Sequence, residues 1–106
     1  MRPRAAWVPL LLLLATVAAI GARAENADLG KQVFTSGATP PCALCHTLAA
    51  AGASGEIGPN LDELKPTEER VRRAVERGVG NMPAFGEMLS SEQIAAVAQF
   101  VAKAVR

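Results

Sequence analysis

The order of apolar and polar positions divides the chain into an uncharged N-terminal run and several short amphipathic segments. The run extends from residue 5 to residue 21 without a charged side chain. Beyond it, apolar residues recur at spacings of three and four, the period of a helix with one buried face. No segment alternates strictly between apolar and polar residues, as a half-buried strand would. The pattern therefore predicts an all-α fold.

Capping residues place three amphipathic helices within this pattern. We expect Asn26 to cap a first helix over residues 27–35. Thr67 is expected to cap a second helix, which Gly78 ends. Ser90 opens the last helix, and Gln93 completes a capping box there. The positions expected to be buried are Leu29, Gly30, Val33 and Phe34, then Val71, Ala74 and Val75, and finally Ile94, Val97, Ala98, Val101 and Val105.

The uncharged run has the features of a secretory signal peptide. Two arginines precede it, and the small-residue pattern Ala22-Arg23-Ala24 of a cleavage site follows it. We expect residues 1–24 to be removed, leaving residues 25–106 as one domain. A retained membrane anchor is the alternative. The strongly apolar part covers only residues 5–20 and includes Pro9, whereas a spanning helix needs roughly 20 apolar residues, so no permanent anchor is expected.

One short motif determines the chemistry. Cys42 and Cys45 are three residues apart and His46 follows directly, which is the attachment signature of haem c. The thiols can bond the two vinyl groups on one porphyrin edge while the imidazole binds iron. A thioredoxin-like pair would need a βαβ setting, a zinc site would need further ligands, and a disulfide across so short a loop would constrain little. The motif predicts one covalently bound haem c.

Few residues can serve as axial ligands of the iron. His46 is the only histidine of the chain and is the expected proximal ligand. The carbonyl of Pro59 is the candidate acceptor for its Nδ1–H, although Pro59 could also only shape a turn. Beyond residue 24 there are two methionines, Met82 in a glycine-rich loop and Met88 beside the last helix. We expect Met82 to be the second ligand and Met88 to be a core residue. Met88 or a lysine as the second ligand remains an alternative, and the main alternative is a core Met82 with five-coordinate iron.

The charge of the chain argues against nucleic acid as a partner. Three of its 11 basic residues lie in the leader, so eight basic and 10 acidic residues remain and the net charge is −2. Haem propionates make the balance more negative, whereas nucleic-acid binding requires a basic surface.

Four arginines of the second helix are interpreted as a solvated face, with ion pairs at helical spacings. These are Arg70, Arg72, Arg73 and Arg77, and the expected pairs are Glu68–Arg72, Glu69–Arg73 and Arg72–Glu76.

Three motifs in order resemble the landmarks of the class I monohaem cytochromes c: Cys42-Ala43-Leu44-Cys45-His46, Gly58-Pro59-Asn60-Leu61 and Asn81-Met82-Pro83-Ala84-Phe85. The resemblance covers nearly all of residues 26–105. It implies thioether links at Cys42 and Cys45, axial ligation by His46 and Met82, and the Pro59 carbonyl on His46. It also implies three to five short helices around one haem, with the terminal helices crossing at Gly30, Phe34 and Phe100.

Lysines, which line the docking surface of the mitochondrial proteins, are few here, and the short loops are more similar to those of small bacterial carriers. These include the electron acceptors of periplasmic sulfite dehydrogenases. The resemblance therefore implies a monomeric periplasmic one-electron carrier with transient redox partners and no catalytic residue. The expected docking rim is Pro40, Pro41, Ala43, Pro83 and Ala84. The alternatives are a haem subunit of a larger periplasmic oxidoreductase, such as a sulfite dehydrogenase, and a five-coordinate haem sensor or peroxidase-like protein.

Overall fold

The computed structural model describes the backbone of residues 8–106 and the side chains of residues 20–106. The first seven residues of the predicted signal peptide lie outside this range. In the described part of the chain, no helix is both long and apolar enough to cross a bilayer. The elements are α1 (Val8–Gln32), a π-helical turn (Val33–Gly37), α2 (Cys42–Cys45), β1 (Thr47–Leu48), a 3-10 turn (Ala49–Ala51), β2 (Ala53–Ser54), α3 (Leu61–Leu64), α4 (Glu68–Arg77) and α5 (Ser91–Ala104).

The terminal helices pack against each other, and α4 packs against α5. Gly30 of α1 permits the closest approach. A Cβ atom on Gly30 would lie 2.6 Å from the Cβ atom of Phe100 and would also collide with the carbonyl oxygen of Ala96. The rings of Phe34 and Phe100 meet beside this point with their centroids 6.2 Å apart. The predicted all-α class and the packing of the terminal helices are confirmed.

The two later helices begin where their caps predict, and α4 also ends at the predicted glycine. The hydroxyl of Thr67 accepts a hydrogen bond from the backbone N–H of Arg70 (3.2 Å), and Gly78, with a φ of +71°, follows α4. Ser90 and Gln93 exchange the two hydrogen bonds of a capping box at the start of α5. Every position predicted to be buried in the last helix is buried, including Val105 directly after α5, whereas on α4 only Val75 is buried.

The predicted start of the first helix is wrong. An N-cap residue has a non-helical backbone, but α1 runs without a break through Asn26. The Asn26 amide instead donates a hydrogen bond to the side-chain oxygen of Gln99 on α5. The helical backbone also continues beyond residue 35, because the π-helical turn extends it to Gly37. Asn26 therefore links the two terminal helices.

The segment after the Cys-Cys-His motif contains a small antiparallel pair that the sequence did not predict. Thr47 lies opposite Ser54 and Leu48 opposite Ala53. Gly52, with a φ of +63°, closes the connecting 3-10 turn, a backbone conformation that glycine adopts without strain. Leu48 is fully buried, so this pair ties the motif to the core.

Candidate haem site

The Cys-Cys-His motif forms a single helical turn. Pro41 precedes α2 with an extended backbone, and its carbonyl oxygen accepts a hydrogen bond from the N–H of Leu44 (3.1 Å). Residues three apart on a helix share a face, so the thiols of Cys42 and Cys45 point to the same side. Both cysteines are free and line one cavity. The turn thus presents two thiols together without joining them.

The environment of Cys42 is that of a packed side chain. Burial raises the pKa of its thiol to about 11, against a smaller lowering by a backbone hydrogen bond. Thiol–disulfide catalysts require the opposite, a cysteine whose pKa is lowered so that the thiolate forms near neutral pH. Cys42 therefore lacks the character of a redox-active thiol, which agrees with a role as an attachment point.

Residues 55–59 pass close behind the motif and support it. The N–H of Gly58 donates to the carbonyl oxygen of Cys45 (2.7 Å), and the hydroxyl of Thr47 donates to the carbonyl oxygen of Gly55 (2.9 Å). A Cβ atom on Gly55 would lie 2.7 Å from the carbonyl carbon of Cys45. Only a glycine allows the two backbones to lie this close.

The imidazole of His46 is packed and hydrogen-bonded on this segment. Its Nδ1 atom lies 2.7 Å from the carbonyl oxygen of Pro59. Because a carbonyl can only accept, Nδ1 carries the proton and Nε2 retains its lone pair for a metal. Gly58 lies against the ring, since a Cβ atom there would be 2.7 Å from Cε1 of His46. The structure thus brings His46 and Pro59 together as the sequence reasoning expected.

Met82 lies on a loop that backbone hydrogen bonds hold in place. The backbones of Val79 and Met82 exchange two hydrogen bonds (2.9 and 3.2 Å), and Gly80 turns between them with a φ of +55°. The N–H of Phe85 donates to the carbonyl oxygen of Val75 (2.8 Å), which attaches the end of the loop to α4. The half-buried Met82 side chain lines the same cavity as His46.

The interpretation of Met88 as a core residue is wrong. Its side chain is 54% exposed. Met88 lies in a turn in which the N–H groups of Met88 and Leu89 both donate to the carbonyl of Phe85. Phe85 and Leu89 fill the buried positions of this turn, so Met88 projects to solvent. Of the two methionines beyond residue 24, only Met82 lines the cavity.

The cavity has a volume of about 490 Å³ and mostly apolar walls. It is lined by Phe34, Pro40, Pro41, Cys42, Cys45, His46, Ile57, Gly58, Pro59, Leu61, Leu64, Pro66, Arg70, Val71, Ala74, Val75, Val79, Asn81, Met82, Pro83, Phe85, Val97 and Val101. Cofactor sites are typically apolar cavities of this size with a few placed polar groups. Two thiols, one imidazole and one thioether on such walls form a donor set that fits haem c. Within residues 20–106, no group of three His, Cys, Asp or Glu side chains could hold another metal.

Arg70 is a cavity residue that the sequence reasoning missed. We assigned it to the solvated face of α4, but it also lines the cavity. A sequence signal was available, because Ala74 of the predicted buried stripe lies four residues later, one helical turn along the same face.

The ion pairs observed on α4 differ in part from those predicted. Arg72 contacts Glu69 (2.6 Å) and Glu76 (3.0 Å), and Arg73 contacts Glu69 (3.4 Å). The expected Glu68–Arg72 pair is wrong, because Arg72 takes Glu69 as its partner in the preceding turn. The hydrogen bond from Arg72 lowers the pKa of the Glu69 carboxyl. These side chains are largely exposed, so each pair adds little stability.

Comparisons with known proteins agree with this site. The family model described as cytochrome c oxidase, cbb3-type, subunit III matches residues 25–101. Cytochrome c6 from Picosynechococcus sp. is 39% identical over 105 residues, covering 87% of this chain and 86% of the relative. Chloroplastic cytochrome c6 from Chlamydomonas reinhardtii is 35% identical over 101 residues, covering 86% of this chain and 63% of the relative.

A solved structure shares both the fold and much of the sequence. The crystal structure of the c-type cytochrome SorU from Sinorhizobium meliloti superposes with a TM-score of 0.74 at 53% sequence identity, covering 76% of this chain and 92% of that chain. The family match, the relatives and the cavity with its paired cysteines identify haem c as the cofactor. The chain belongs to the class I monohaem c-type cytochromes, a family of electron carriers, and holds haem c through Cys42 and Cys45.

Proposed function

We propose that this cytochrome is a periplasmic one-electron carrier in which His46 and Met82 are the axial ligands of the haem iron. The observation that supports this most directly is that the imidazole and the thioether line one apolar cavity from separately anchored segments. When bound, haem c supplies the exchange of one electron between Fe(III) and Fe(II).

The contact between His46 and Pro59 prepares the proximal ligand. A hydrogen bond from Nδ1–H to a carbonyl fixes the tautomer and the orientation of the ring and raises the basicity of Nε2. The distance of 2.7 Å is that of a close hydrogen bond. Pro59 therefore acts on the iron through His46 and is a positioning residue.

The loop of Met82 prepares the distal ligand. Its two backbone hydrogen bonds with Val79 and the attachment of Phe85 to α4 limit the positions that the thioether can take. A neutral thioether favours ferrous iron and raises the reduction potential relative to a second histidine. If both His46 and Met82 bind the iron, no coordination position would remain for a substrate, which would suit a carrier rather than a haem enzyme or a gas sensor.

The ligand assignment is tested by a pair of methionine variants. In Met82→Ala, we expect the charge-transfer band between methionine sulfur and ferric iron to disappear and carbon monoxide to bind to the reduced protein. Met88→Ala is the matched control, because its exposed side chain does not line the cavity, and it should keep the band. If the unmodified protein lacks the band and binds carbon monoxide readily, a five-coordinate sensor or peroxidase-like protein replaces the carrier.

Redox partners are proposed to dock where the motif reaches the surface. Pro40, Pro83 and Ala84 are exposed, while Pro41 and Ala43 are half-buried. These small uncharged side chains form a rim that allows close but brief contact, as weak electron-transfer encounters require. The similarity of the short loops to small bacterial carriers makes a periplasmic sulfite dehydrogenase the first donor to test. We expect this enzyme to reduce the cytochrome in stopped-flow mixing. If no reduction is observed, the enzyme is not the donor.

Export with removal of residues 1–24 is part of the proposal. Residues 20–25 are exposed around the Ala22-Arg23-Ala24 pattern, and the family match begins at Glu25. N-terminal sequencing of the protein from a periplasmic fraction should give Glu25 as the first residue. A chain that retains its leader in the membrane fraction would contradict this.

A fixed haem subunit of a larger oxidoreductase is the second candidate. The description of the matching family names a subunit of an oxidase, which is the observation in its favour. Size-exclusion chromatography of the untagged protein at its native abundance separates the two: a free carrier elutes as a monomer, whereas a subunit elutes with its complex.

A further inference from the structure

The walls of the haem cavity carry a single permanent charge. Its titratable lining residues are Cys42, Cys45, His46 and Arg70, and no Asp, Glu or Lys of the described residues lines it. The cysteines become thioethers on attachment and His46 faces iron in the proposed ligation. The guanidinium of Arg70 is then the charged side chain left on the cavity wall. Because haem itself carries two anionic propionates, a cation on the cavity wall would interact favourably with them.

Arg70 has no protein partner for its charge within residues 20–106. The ion pairs of α4 use Arg72 and Arg73 with Glu69 and Glu76, and none includes Arg70. Arg70 is exposed and also lines the cavity. A guanidinium there can face the cavity without breaking an existing contact.

The position of Arg70 on α4 also favours an anion beside it. Its backbone N–H donates to the hydroxyl of Thr67, the N-cap residue, which puts Arg70 in the first turn of the helix. The helix dipole disfavours a cation there and stabilises an anion. The carboxylate of Glu69 in the same turn is already occupied by Arg72 and Arg73. An anionic group next to Arg70 would therefore interact favourably with both the helix end and the guanidinium.

We infer that Arg70 binds a haem propionate and so completes the haem site on the side of α4. A guanidinium pairs with a carboxylate through two parallel hydrogen bonds, and Arg70 is the permanently charged residue among those that line the cavity. The inference rests on haem attachment and is independent of the ligation by Met82. The competing role is a surface charge that attracts an acidic partner protein.

The two roles predict different reduction potentials for charge-removing variants. An ionised propionate favours Fe(III), and Arg70 compensates it, so Arg70→Gln should lower the potential. We expect the Fe(II)/Fe(III) equilibrium constant to fall by about threefold to tenfold, where tenfold corresponds to about 59 mV for one electron. Arg73→Gln removes the same charge from the same helix but outside the cavity lining, and serves as the matched control.

Salt separates a cavity contact from a surface charge. At 1 M ionic strength the Debye length is about 3 Å, so any shift in Arg73→Gln should vanish while the shift in Arg70→Gln persists. Arg70→Lys keeps the charge and should recover most of the potential. Equal shifts in Arg70→Gln and Arg73→Gln at both salt concentrations would overturn the inference and support the docking role.

Nuclear Overhauser spectroscopy of the unmodified, reduced protein gives a test that needs no variant. We expect cross-peaks between the guanidinium Nε–H of Arg70 and the methylene protons of one propionate. Their absence in a spectrum that resolves both sets of protons would overturn the inference even if the variants do not fold. The methionine charge-transfer band, recorded on the same samples after oxidation, reports the axial ligation separately, so the two proposals can fail independently.

Discussion

Replacement of Gly58 by alanine tests how closely the backbone supports the proximal histidine. A Cβ atom at this position would lie 2.7 Å from Cε1 and 3.0 Å from Nδ1 of His46, whereas ordinary contacts begin at 3.4 Å. The difference between 2.7 and 3.4 Å requires the ring or the backbone to retreat by about 0.7 Å. Such a shift changes the Nδ1 contact with Pro59, which is now 2.7 Å.

Two effects of opposite sign set the size of the change in stability. Overpacking a well-filled site costs about 1–3 kcal/mol. Alanine also restricts the unfolded chain relative to glycine, which stabilises the fold by about 0.4–1 kcal/mol. The clash with the ring is the larger effect, so we expect a net loss of about 1.5 kcal/mol in the free energy of unfolding. For a domain of this length, this lowers the melting temperature by about 6–12 °C.

Thermal unfolding of the haem-loaded protein, followed at the Soret band, measures this loss. Gly37→Ala is the matched control, because its added Cβ atom would meet only the flexible end of the Gln32 side chain, at 3.0 Å. We expect its melting temperature to stay within a few degrees of the unmodified protein. Equal melting temperatures and spectra for Gly58→Ala and Gly37→Ala would show that Gly58 does not constrain His46.

Three further predictions follow from the helices. Gly30→Ala should cost about 3 kcal/mol in the free energy of unfolding, since its Cβ atom would collide with the backbone of Ala96 and with Phe100. Denaturant titration measures this loss, and a loss under about 1 kcal/mol would contradict the close crossing of the helices. Ser90→Ala should cost about 1 kcal/mol through the lost cap of α5, whereas Ser91→Ala, one residue later, should be neutral; equal losses would contradict the capping assignment. The pKa of Glu69 is lowered by Arg72, so the stability that Glu69 contributes is present above the unfolded carboxyl pKa and is lost as pH falls through the lowered folded value. The unfolding curves of the unmodified protein and Glu69→Gln should therefore differ at pH 7 and converge at pH 2, and a difference that persists at pH 2 would contradict the ion-pair explanation.

The sequence predicted best those features that local chemistry determines. Thr67 and Ser90 were identified as caps because a cap depends on hydrogen bonds within four residues of the chain. The Cys-Cys-His motif was informative for the same reason, since its spacing alone allows both thiols to reach one edge of a porphyrin. The starts of α4 and α5, the end of α4 and the attachment residues could therefore be placed without a structure.

The failures concern features that depend on distant contacts. The sequence around Met88 did not indicate which residues of this turn face the core. Phe85 and Leu89 are buried, whereas Met88 is exposed. The strand pair at Thr47–Leu48 is too short to produce an alternating pattern. The cavity contact of Arg70 was missed because its charge suggested a solvated side chain, although its spacing of four residues from Ala74 places both on one face of α4.

The partner of His46 is a main-chain oxygen, and this protects the site from mutation. A change of side chain at position 59 alters the turn but cannot delete the carbonyl that receives the imidazole proton. A carboxylate in the same role would be lost by a single substitution. Apart from replacement of His46 itself, a mutation can weaken this hydrogen bond only by changing the course of the backbone. Gly58, where any added side chain meets the ring, is the position where variants with intact ligands but altered spectra should be sought.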